Sequence, residues 1–182
     1  MNRKHLPIIK RYCVHEAGHA IVCFHLGIPI TGVQLKVSFD GDLMGSEGGV
    51  RFDFEKLNED LKSKDYSVCS LAFMQDLAHT WAGIVATQEV YNTKKVFDEC
   101  KHDQDTIQES VRDVEEQQKG EGKRLEKLAY ERAKLIIQEN RGAMERLADK
   151  LNNLLFANHY SIKLDGQEVI RVICDQKGGE PA

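Results

Sequence analysis

No run of apolar residues in this chain approaches the roughly 18 that a bilayer-spanning helix needs. A membrane partner is therefore not expected. A secretory leader has no room either, because Met1-Asn2-Arg3-Lys4-His5 runs straight into a segment expected to be helical. Charge of one sign is not in excess. The formal net charge is −4, so no basic field points to nucleic acid or to an anionic surface. Cysteine is sparse and scattered: the five residues are Cys13, Cys23, Cys69, Cys100 and Cys174, and no Cys-x-x-Cys pair occurs. An odd, dispersed set argues against a disulfide framework and for reduced thiols in a cytoplasmic protein. Cys13 and Cys23 are expected as core fillers. Cys100 lies near a candidate metal ligand, which makes a thiolate ligand a minor alternative. Internal repeats and low-complexity stretches are also missing.

What is present suits one ordinary soluble domain. The chain has 182 residues, of which 30% are charged and 41% hydrophobic. That length buries a real core. The expected core spans about residues 7–173, with a flexible tail at 174–182.

The feature around which the rest is organised is His15-Glu16-Ala17-Gly18-His19, a His-Glu-x-x-His pattern. Residues four apart on a helix share a face, so both imidazoles can reach one Zn²⁺ at roughly 2.0–2.1 Å. Glu16 follows His15 directly, so its carboxylate stands beside the metal without being forced into its shell. There it can take a proton from an attacking water and hand it to a leaving amine. Tyr12, Cys13, His15, Glu16, His19, Ala20 and Cys23 follow helical spacing, on or beside an apolar face. A buried carboxylate with nothing to compensate it would be costly, and a metal with a reacting water gives it a reason to be there.

Periodicity predicts a first helix over residues 7–26, with Pro7 in its first turn and Gly27 and Pro29 ending it. Thr31 to Phe39 alternates, with Val33, Leu35, Val37 and Phe39 on one side, and reads as a half-buried strand. Asp40-Gly41-Asp42 and Gly45-Ser46-Glu47-Gly48-Gly49 read as turn or loop, and Val50 to Phe54 as a second strand. A second helix is expected over 66–91, with Val68, Leu71, Leu77, Ala78, Trp81, Ile84 and Val85 in its buried set. Gly83 within it marks close packing against the first helix. Further helices are expected over about 103–118, 125–140 and from Met144 to Leu155, with a polar turn at 115–124 and a break at Arg141-Gly142. Tyr160 to Leu164 is extended, and Asp165 caps a last helix, Gly166 to Ile173. The fold class is α+β, mainly α, with a small antiparallel or mixed sheet beside the motif helix.

A catalytic zinc needs a third protein ligand and an open position. His25 leaves the motif face, His79 reads as a core or boundary histidine, and His159 falls in a polar turn. The cluster His102-Asp103-Gln104-Asp105 remains. Asp103 shares a helical face with Ile107, Val111 and Val114 and points inward, whereas Asp105 shares its face with Glu109 and solvent. Asp103 as a simple N-cap, and Asp105 or His102 as ligand, stay open as alternatives.

Several stretches carry a likeness in the same order: Val14-His15-Glu16-Ala17-Gly18-His19-Ala20; Gly32-Val33-Gln34-Leu35-Lys36-Val37; the approach into Gly48-Gly49-Val50-Arg51-Phe52; Leu77-Ala78 with Trp81-Ala82-Gly83-Ile84-Val85-Ala86; Asp103 with Ile107; and Ala133 to Leu155 followed by Leu164-Asp165-Gly166-Gln167-Glu168-Val169. Together they cover most of residues 12–173 and resemble the peptidase domain of the FtsH family of zinc proteases. The resemblance implies one zinc per chain held by His15, His19 and Asp103, with Glu16 as catalytic base. It implies that a polypeptide substrate adds as a strand along an edge near Gly48, Gly49, Val50, Arg51 and Phe52. Members of that family carry an ATPase module and membrane spans ahead of this domain. Neither stands in this sequence, so flexible or unfolded chains are the expected substrates. Ile84, Thr87 and Gln88 replace the family's Arg and paired Glu, and Thr93 to Lys101 replaces its glycine-rich approach to the Asp. Both changes bear on how Asp103 and its surroundings are held.

The expected function is therefore a zinc-dependent endopeptidase that works without an ATPase of its own. The alternative is a weak or inactive zinc-binding module acting in protein interaction. Self-assembly into a homo-oligomer is left open. Glu16 favours the enzyme, since a purely structural zinc has no use for a base beside it.

Overall fold

Every residue from Tyr12 to Cys23 is buried. They lie in the long helix α1 (Leu6–Leu26), which has Pro7 in its first turn and Gly27 at its end. In this computed structural model, which describes residues 5–40 and 43–175, α1 is the central rod and is enclosed on all sides rather than on one face. The turn expected at 40–42 and the tail expected at 174–182 fall largely outside the described residues.

After α1 the chain runs into β1 (Ile30–Asp40), β2 (Leu43–Phe52), the short helix α2 (Glu55–Leu61) and the long helix α3 (Tyr66–Tyr91). A single 3₁₀ turn, Asp98–Cys100, leads into α4 (Lys101–Gln117), followed by α5 (Glu121–Glu139) and α6 (Arg141–Ala157). β3 (Ser161–Asp165) and α7 (Gly166–Cys174) close the fold. The architecture is mainly helical with one small sheet, of order β2-β1-β3, in which both pairings are antiparallel. Among the described residues no helix is long and apolar enough to cross a membrane.

α3, α5 and α6 pack around α1, and α7 lies on β1. Gly18 lets α1 approach α3 closely: a Cβ there would lie 2.5 Å from the Ala86 Cβ and 2.7 Å from the Ala82 carbonyl oxygen. Val33, Leu35 and Val37 are buried on the inner face of β1, as their alternation requires. Asp165 caps α7 with a side-chain oxygen 2.8 Å from the Glu168 N–H.

The structure departs from these expectations in several places. Gly45 to Gly49 is strand rather than loop: β2 begins at Leu43 and pairs with β1 up to Ile30↔Phe52. Gly48 sits in β2 at φ 96°, a conformation costly for any residue with a Cβ. Glycine and serine give no alternation by which such a strand could be read. Asp53 and Phe54 then fall outside it. α2 went unread because only Leu57 in it is buried, too little for a period. Val68 and Leu71 are exposed (36% and 54%) because the start of α3 runs beyond the core. Asp103 is not an N-cap, since α4 starts at Lys101 and Asp103 lies in its first turn.

Candidate metal centre

α1 presents His15 and His19 one turn apart, and the first turn of α4 brings Asp103 to meet them. His15 Nε2 and His19 Nε2 are 3.0 Å apart. Asp103 Oδ2 lies 3.2 Å from the first and 3.0 Å from the second. Ligand atoms held tetrahedrally at roughly 2.0–2.1 Å from a zinc are about 3.3 Å apart. The triangle has the size that zinc requires, and two imidazoles with one carboxylate are a donor set that suits it. His102 and Asp105, the other candidates, are both exposed, although His102 lines the same cleft. Residue 103 is the member of the cluster that faces inward because Ile107, one turn later, is buried beneath it at 1% exposure. His25 and His159 are exposed, as expected.

Both imidazoles are oriented through their far nitrogens. His19 Nδ1 is 2.9 Å from the His79 carbonyl oxygen, and an N–H there donates to it. His15 Nδ1 is 3.2 Å from the Cys100 Sγ, which is fully buried and also 3.6 Å from the Thr87 hydroxyl. These contacts turn both Nε2 atoms toward Asp103, the arrangement that outer partners of metal-binding histidines provide. Cys100 thus supports a candidate ligand and is not one of the three grouped donors.

Charge is concentrated here. Burial opposes a charge on His15. Its hydrogen bonds to Asp103 and Cys100, with the nearby Glu16 carboxylate, nevertheless hold its pKa well above the ordinary value. Burial likewise opposes ionisation of Asp103, but the bonds from His15 and His19 keep its carboxyl well below the usual range. A divalent cation would serve the same carboxylate in place of a proton shared with the imidazoles.

Two further groups shape the centre. Gly83 of α3 lies directly against it: a Cβ at this position would sit 2.7 Å from His19 Nε2 and would collide with the His15 ring. This is the close packing that Gly83 signals in the sequence. His79, also on α3, packs against His19, Phe52 and Phe54. Its two ring nitrogens are sealed from solvent, with no hydrogen-bond partner among the described residues. Burial first, and then the neighbouring His19, push its pKa down to about 3.

Glu16 is buried, and one of its carboxylate oxygens accepts the Val50 N–H at 3.0 Å. Tyr12, one turn earlier, donates its hydroxyl to the Gly48 carbonyl at 3.0 Å. Burial, and then Glu16, push the Tyr12 phenol well above its ordinary pKa, so it stays a donor. The expected edge residues Gly48, Gly49, Val50 and Phe52 therefore line the cleft with the motif, whereas the exposed Arg51 pairs with Gln34 of β1. The cleft has a volume of about 340 Å³, room for a few residues of extended chain. Sequence reasoning missed Tyr12 as a polar participant, although its i, i+4 spacing to Glu16 puts the two on one face. It also missed the sulfur–imidazole contact, which no local pattern signals.

The chain matches no protein-family model, and no curated protein matches it.

Proposed function

We propose that this protein is a zinc-dependent endopeptidase of the kind the FtsH peptidase domain represents, acting on extended polypeptide chains. The observation that supports it is the convergence of His15 Nε2, His19 Nε2 and Asp103 Oδ2 within 3.0–3.2 Å of one another, with Glu16 beside them in an open cleft. His15, His19 and Asp103 would hold the zinc. When bound, the metal supplies a Lewis acid that polarises the scissile carbonyl and acidifies water. Glu16 takes the proton of the attacking water on a carboxylate oxygen and returns it to the departing amine. β2, an edge strand in the described sheet, offers main-chain groups to hold the substrate extended. Phe52 and His79 line the cleft beside the metal site and limit the water that reaches it.

Zinc content and proteolysis of an unfolded protein such as β-casein test the proposal together. One zinc per chain is expected, lost in Asp103→Ala and kept in Asp105→Ala. Glu16→Gln should keep its zinc while hydrolysis falls by at least about a hundredfold, the scale of a positioned general base. A protein that takes up no zinc on titration, or a Glu16→Gln variant that hydrolyses at the wild-type rate, would overturn it.

A further inference from the structure

β2 has β1 along one side, and its other side faces α1 across the cleft. Two main-chain groups on that outer side are already engaged. The Val50 N–H donates to Glu16 at 3.0 Å, and the Gly48 carbonyl accepts from Tyr12 at 3.0 Å. In a strand, residues i and i+2 direct their polar groups to the same side. The carbonyl of residue 48 and the amide of residue 50 are therefore the pair that a chain laid beside β2 would use. Tyr12 supplies the donor and Glu16 the acceptor that such a chain would bring. The fit is tight, since a Cβ on Gly49 would come within 3.2 Å of a Glu16 carboxylate oxygen.

We propose that Tyr12 and Glu16 stand in for a substrate strand on the edge of β2, so that an incoming extended polypeptide displaces both. Docking and release of the base then become one event. A chain able to pair with residues 48 and 50 frees the Glu16 carboxylate to face the reacting water. A small amide that cannot form this pair leaves Glu16 on the Val50 N–H. Specificity for extended polypeptide arises from this exchange. The substrate class rests on the peptidase proposal above, but the exchange itself is a statement about binding.

The test reads binding in zinc-loaded protein that cannot hydrolyse. Fluorescein-labelled β-casein is titrated by anisotropy against Glu16→Gln and Glu16→Ala, each with and without Tyr12→Phe. Tyr12→Phe keeps the ring and removes the competing donor, together with the hydroxyl's bond to the Ser46 side chain. It should tighten casein binding in both backgrounds by roughly two- to tenfold, the worth of one neutral hydrogen bond. Glu16→Ala should bind more tightly than Glu16→Gln, whose amide oxygen can still cover the Val50 N–H. If Tyr12 merely braced β2, its loss would loosen the strand and weaken binding. Unchanged or weaker binding in Tyr12→Phe overturns the proposal, as does a failure of all four proteins to bind casein. Cleavage of casein by the wild-type zinc protein is measured in parallel. Cleavage without tightening sinks the exchange alone, whereas tightening without cleavage sustains the exchange and sinks the peptidase.

Discussion

At the scale of single residues, two groups that touch the centre without belonging to it set its limits. Gly83 is the floor on which both imidazoles rest. A methyl group there has no space, because His15 and His19 occupy it. Gly83→Ala should leave the helix intact, since alanine favours helices more than glycine does. It should displace the imidazoles and lower zinc affinity by at least about tenfold, as read by competition with a chromophoric chelator. Wild-type affinity in that variant would refute the tight floor. His79 acts on stability instead. Its ring stays neutral in the fold down to about pH 3, whereas an unfolded histidine titrates near 6.5. Between those values the unfolded chain binds more protons, so stability falls as pH falls through that window and is untouched above it. His79→Leu should narrow the loss of stability between pH 7 and pH 5 by about 2 kcal/mol. Urea unfolding of both proteins in chelator measures the difference, and equal losses would show that the ring is not held neutral.

At the scale of elements, the centre depends on how α4 is docked. Asp103 reaches the imidazoles only because Ile107 and Val111, on the same face, are buried beneath the first turns of that helix. Its approach is otherwise irregular, with only the 3₁₀ turn Asp98–Cys100 before it. Ile107→Ala opens a cavity under this docking and should cost about 2–5 kcal/mol in urea unfolding. Asp103→Ala removes the carboxylate that meets both imidazoles but leaves the packing in place, and its main loss should be zinc. The two variants thus separate seating from ligation. If Ile107→Ala unfolds with wild-type stability, α4 is held by something other than this face.

At the scale of the whole molecule, the three candidate ligands join α1 to α4 across 84 residues of sequence. A metal bound there links the central rod to a helix that packs on the outside of α3 and α5. It would bind the folded chain, where the three donors converge, and would find no equivalent site in the unfolded one. Zinc at a hundredfold over its Kd should therefore stabilise the fold by about 2.7 kcal/mol. For a chain of this length that corresponds to a rise in Tm of roughly 5–10 °C. Calorimetry with zinc or chelator reads it. Asp103→Ala should abolish the rise and Asp105→Ala should keep it, whereas a rise that survives loss of Asp103 would place the metal elsewhere.

By itself the sequence determined what is local. The spacing of Leu77, Ala78, Ile84 and Val85 wrote α3, the alternation of Val33, Leu35 and Val37 wrote β1, and Asp165 announced α7. These features are legible because a helix or strand repeats every few residues and a cap acts within one turn. The His15-Glu16-His19 spacing is legible for the same reason, since its members lie on one turn of one helix. Tertiary structure decided the rest. It set Asp103, rather than His102 or Asp105, against the two imidazoles, brought Cys100 to His15, and laid β2 close enough for Glu16 and Tyr12 to take its edge. It also made Gly45 to Gly49 a strand, through pairing with β1 that glycine and serine side chains cannot advertise. Each of these outcomes turns on which surfaces pack together. Packing depends on shape and burial summed over distant segments, for which no short stretch of sequence carries a period.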